Sequence, residues 1–120
     1  MLINYSFLFF YFLVVALHLY FVVLEMVLWK KRAPKVFGVT PEYAMQTSKL
    51  ASNQGLYNGF LVAALLIGFF AHDDTVSHVF IMYGLICVIA AGIWGGITVN
   101  KRIALVQALP ALIALALYSF

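Results

Sequence analysis

The stretch LASNQGLYNGF, residues 50–60, sets Asn53, Gln54, Tyr57 and Asn58 just ahead of the apolar run LVAALLIGFF. Amides and a phenol carry hydrogen-bond donors and acceptors, which an apolar solvent leaves unpaired at a cost of several kcal/mol, about 2–7 by transfer scales. Upstream, Asn4, Tyr11, His18 and Glu25 recur every seven residues. Seven residues are nearly two helical turns, so the four share one stripe of a helix. At ~1.5 Å rise per residue, Glu25 lies about 10 Å further along that helix than His18. A carboxyl group withdrawn from water can exchange its proton for a cationic ligand, which makes Glu25 the candidate titrating group. The structural alternative is a pair with Lys49, or hydrogen bonds to Asn53 and Gln107. His18 reaches Glu25 as a proton relay only through Tyr11, Tyr57 or water, and a satisfied core histidine is the simpler reading.

The elements that hold these groups follow from composition. Of 120 residues, 66% are hydrophobic and 9% charged, whereas soluble chains carry about 25% charged residues. Runs of about 20 mostly apolar residues, enough to cross a bilayer, can be drawn four times, at about residues 7–28, 50–70, 76–97 and 103–118. The expectation is one all-α transmembrane domain over residues 1–120, an integral membrane four-helix bundle of antiparallel, up-down topology. The apolar N-terminal run lacks a basic leader and a small-residue cleavage site, so it reads as a retained helix rather than a signal peptide. Thr40 followed by Pro41 is a helix start, placing a helix that begins in water and continues into lipid. Asp73, Asp74 or Ser77 caps the third span. Pro110 falls inside the fourth, where neighbouring groups must satisfy the freed carbonyl.

All seven basic side chains fall in two loops: Lys30, Lys31, Arg32, Lys35 and Lys49 in one, Lys101 and Arg102 in the other. The positive-inside rule makes both loops cytoplasmic and both termini external, in a bacterial inner membrane. The basic loop then serves orientation and contact with anionic lipid rather than nucleic acid. With one cysteine, Cys87, in an apolar run, an intrachain disulfide is impossible. His72, Asp73, Asp74 and His78 have metal-ligand types, but capping and solvation account for them and no metal site is expected. The residues name no cofactor.

The second span runs back from the basic loop, so Asn53 and Tyr57 reach the depth of Glu25, with Gln54 and Asn58 widening the face, Gln107 at a comparable level and Lys49 at the rim. Four polar side chains beside an acid exceed what fastening helices requires, at roughly 0.6 kcal/mol per interhelical hydrogen bond, and favour a pocket. Gly55 with Gly59, and Gly92 with Gly96, stand four apart and let helix backbones approach, within one chain or between copies. A homo-oligomer joined through these small-residue faces is therefore expected.

The segments HLYFVVLEMVLW, KVFGVTPEYA, NQGLYNGFLVAALL and VQALPAL, in this order, resemble the signature segments of domain-of-unknown-function family 1304, small bacterial membrane proteins with four expected spans. The resemblance implies a four-helix inner-membrane protein and brings no reaction or substrate. A weaker architectural similarity is to membrane-associated glutathione and eicosanoid enzymes, whose second helix carries an Arg-x-x-x-Asn-x-x-Glu type pattern. Lys49 and Asn53 match its first two positions loosely, and Leu56 stands in place of the glutamate. Small multidrug transporters are similar in length and in having one carboxylate in the first helix, without sharing its motif.

Three functions follow as expectations. The preferred one is binding or transport of a small polar or cationic molecule, with Glu25 titrating and Asn53, Tyr57, Asn58 and Gln107 orienting the ligand. The second is a membrane enzyme of the glutathione-transferase type, with Tyr57 or Tyr20 stabilising a thiolate and Lys49 or Arg102 holding an anionic cosubstrate. The third is a structural or regulatory subunit that binds another membrane protein.

Overall fold

The computed structural model describes residues 4–119, and among them there is no strand. The helices are α1 (Tyr5–Met26), α2 (Trp29–Phe37), α3 (Pro41–Gln46), α4 (Ser48–Phe70), α5 (Asp74–Thr98) and α6 (Lys101–Ile103), then a π-helical segment (Ala104–Ala108) and α7 (Leu109–Ser119). Among the described residues, four stretches are long and apolar enough to cross a membrane: Tyr5–Met26, Ser48–Phe70, Asp74–Thr98 and Lys101–Tyr118. They fall within about two residues of the expected spans at each end.

Caps explain the shifts. Asn4 accepts a hydrogen bond from the Phe7 amide at 3.0 Å, which starts α1 earlier than its apolar run suggests. Thr40 accepts from the Tyr43 amide at 3.1 Å ahead of Pro41, and Asp73 accepts from the Val76 amide at 2.9 Å. Ser77 has another task, donating to the Gly68 carbonyl at 2.7 Å.

Two local expectations are corrected. The basic stretch after the first span is not a loop but helix α2, closed by Gly38 at φ 66°, a left-handed turn that suits a residue without Cβ. The helix begun by Thr40 does not continue into the second span. It stops at Thr47, whose hydroxyl donates back to the Tyr43 carbonyl at 2.7 Å, and α4 starts afresh at Ser48.

Pro110 explains the π-helical segment. A proline ring clashes with the carbonyl four residues back and has no amide proton to offer it. The preceding turn widens instead, and the Leu109 amide bonds to the Ala104 carbonyl five residues back.

The chain divides into two compact units. One runs through Leu17 and from Leu61 onward; the other is His18–Phe60. Around the core of the first lie Tyr11, Val14, Leu65, Leu85, Val88 and Ala111, all buried. Lipid tails are as apolar as leucine, so close packing and hydrogen bonds rather than water exclusion hold such a core. The Tyr11 hydroxyl donates to the Leu65 carbonyl at 2.6 Å, and a Cβ built on Gly92 would lie 2.6 Å from the Ala108 backbone nitrogen. Glycine at 92 is thus what lets α5 meet the π-helical segment.

Candidate functional site

The second unit contains the acid and the amide-rich start of α4. Gly55 brings the two elements together: a Cβ there would lie 2.6 Å from Met26 Cγ and 3.1 Å from Glu25 Cβ, so only a bare backbone permits the contact. Three residues on, close to the same face, Asn58 is buried and its Nδ2 donates to Glu25 Oε1 at 2.6 Å. The carboxylate is fixed by one amide and keeps its second oxygen for another donor.

Beside it is a cleft of about 400 Å³ whose lining includes Glu25, Trp29, Lys30, Ser48, Lys49 and Ser52. Its frame is rigid. Trp29, the first residue of α2, donates its indole N–H to Thr47 Oγ1 at 3.0 Å and packs on Phe37 with ring centroids 5.5 Å apart. This ties α2 to the junction of α3 and α4. Ser48 and Ser52 stand one turn apart at the start of α4, with Lys49 beside them. Glu25 and Lys49 line the same cleft, and among the described residues no ion pair joins them. The cleft therefore offers one carboxylate, two ammonium groups and two hydroxyls.

The expected residues divide. Glu25, Asn58 and Lys49 belong to this site. Asn53, Gln54 and Tyr57 are exposed, Tyr57 by 56%, and do not converge on Glu25. The reason is angular. Each residue turns a helix by about 100°, so Asn53 and Tyr57 lie roughly opposite Gly55 even though their depth is right. His18 is buried at 1% exposure, edge-on to Phe21 with centroids 5.3 Å apart, as a core histidine would be. Gln107 belongs to the other unit, where its Cβ packs near Gly92.

Ser48, Ser52, Trp29 and Lys30 were not among the expected site residues. The serine pair at four-residue spacing was the available signal, but short hydroxyls at a helix start read first as capping. The glycine spacings serve contacts within the chain: Gly55 meets Met26, and Gly92, Gly95 and Gly96 meet Ala108, Ile103 and Ala104. In the turn cluster, Asp73 caps α5 and His78 Nδ1 lies 3.1 Å from the Tyr118 hydroxyl.

Four spans, with a cleft of mixed polar and apolar lining at the ends of two of them, define a multi-pass, all-α membrane protein. The profile described as "Protein of unknown function (DUF1304)" matches residues 12–119, and the chain belongs to this family. No curated protein and no solved structure matches the chain significantly. The weaker likeness to glutathione and eicosanoid enzymes gains no support from these comparisons.

Proposed function

We propose that this protein binds a small polar or cationic molecule in the cleft of the second unit, as a receptor site or as the first step of transport. The observation that carries the reading is the Glu25–Asn58 hydrogen bond at 2.6 Å, which holds a carboxylate in place on the wall of a cleft large enough for a small ligand. An acid near the end of a membrane span costs free energy, and such groups usually mark a binding or conduction path. Lys49 and Lys30 stand at the same cleft and orient the anionic part of a ligand that carries one. The positive-inside rule supports an inner-membrane setting with α2, α3 and the cleft on the cytoplasmic side.

A proton and a cation compete for one carboxylate, so the sign of the pH dependence is set. Lowering the pH protonates Glu25 and weakens cation binding; raising it restores binding. The test is a titration of purified protein with a panel of soluble amines at several pH values, comparing wild type with Glu25→Gln. The expected outcome is amine binding that falls at acid pH and a variant whose residual binding is flat. Equal affinity and an equal pH profile for the two proteins would remove the carboxylate, and the proposal with it.

A further inference from the structure

The cleft is two-signed, and that narrows its ligand. Two ammonium groups, Lys30 and Lys49, serve a simple cation poorly, and the Glu25 carboxylate serves a simple anion poorly. A molecule carrying both charges satisfies both walls. Ser48 and Ser52, on α4 with Lys49, add hydroxyl donors suited to a phosphate. Glu25 has one oxygen engaged by Asn58 and acceptor capacity left over, which an ammonium bearing N–H donors can use and a quaternary ammonium cannot.

Position narrows it further. Glu25 stands one residue before the end of the span Tyr5–Met26, and Ser48 opens the span Ser48–Phe70. The cleft thus sits where hydrocarbon gives way to lipid headgroups. Trp29 marks the same level, as tryptophans at membrane interfaces do. Val27, in the cleft lining, and Leu50, next to Lys49 in the chain, are 75% and 73% exposed and give the site an apolar border. A volume of about 400 Å³ accommodates a headgroup, not two acyl chains.

Resting on the small-molecule reading above, we infer that the cleft seats the headgroup of a phospholipid that carries a primary amine. Its phosphate lies on Lys30, Lys49 and the two serine hydroxyls, its ammonium donates to Glu25, and its acyl chains stay in the bilayer past Val27 and Leu50.

The test uses the full chain in detergent micelles doped with phosphatidylethanolamine, phosphatidylcholine or phosphatidylglycerol of identical acyl chains, with retained lipid counted by native mass spectrometry. The expected result is retention of the ethanolamine lipid over the choline lipid by roughly tenfold, the scale of one charge-assisted hydrogen bond. Glu25→Gln removes that preference while the glycerol lipid is still retained. The double change Lys30→Gln with Lys49→Gln weakens retention of all three phospholipids. Ser52→Leu, which fills the cleft while keeping both Glu25 and Asn58 in the chain, blocks retention and guards against misfolding of the Glu25 variant. Equal retention of the three lipids, or an ethanolamine preference indifferent to Glu25→Gln and Ser52→Leu, overturns the inference. Soluble amines that bind through Glu25 while the lipids show no preference would sink this inference and leave the small-molecule reading standing; if amines also fail, both fall.

Discussion

Asn58 Nδ2 sits 2.6 Å from Glu25 Oε1, an amide from the third turn of α4 anchoring an acid in the last turn of α1. Replacing Asn58 with Leu removes the donor and leaves a part-buried carboxylate short of a partner. Such a loss costs about 1–3 kcal/mol. The melting temperature in detergent should fall, whereas Asn53→Leu, on an exposed face, should leave it nearly unchanged. Equal losses for the two would mean that the hydrogen bond is not a stabilising contact.

The glycines make a graded series. Gly92→Ala would drive a methyl to 2.6 Å from the Ala108 backbone nitrogen, where nothing can yield without moving the helix. Overpacking of this kind costs roughly 1–3 kcal/mol. Gly55→Ala meets the flexible Met26 side chain first, so it should cost less, while pushing Glu25 away from Asn58 and weakening ligand retention. Gly59→Ala meets only Val22 at 3.9 Å and should be neutral or slightly stabilising, since alanine favours a helix by up to about 1 kcal/mol. Thermal unfolding of the three variants should rank them in that order.

Tyr11→Phe keeps the ring packing and deletes the hydroxyl that bonds the Leu65 carbonyl at 2.6 Å. The expected loss is about 0.5–1.5 kcal/mol, read as a lower melting temperature with unchanged helical circular dichroism. Tyr11→Ala should cost more, because it also empties space at the centre of the first unit's core.

Sidedness can be read directly. In a Cys87→Ala background, single cysteines placed at Lys31 and Lys101 should resist a membrane-impermeant thiol reagent on intact cells, and one at Asp74 should react. Labelling of Lys31→Cys with protection of Asp74→Cys would reverse the inference drawn from basic residues.

Four spans, a helix start at Thr40, another at Asp73, Asp74 or Ser77, and an acid that needs protection were legible from residue types alone. Hydropathy adds residue by residue along the chain, and a cap is a matter of three or four neighbours, so both survive without knowledge of the fold. The depth of Asn53 and Tyr57 was legible for the same reason, since rise per residue is constant. Which way they point was not. Azimuth is decided by the face that finds a partner, and Gly55, by admitting Met26, turns Asn58 to Glu25 and leaves Asn53 and Tyr57 exposed. The break at Thr47, the helical basic stretch and the serine-lined cleft likewise depend on contacts between segments distant in sequence, such as Trp29 with Thr47. Local chemistry determined what crosses the membrane and what must be shielded within it; only the packing of α4 on α1 decided which amide shields the acid.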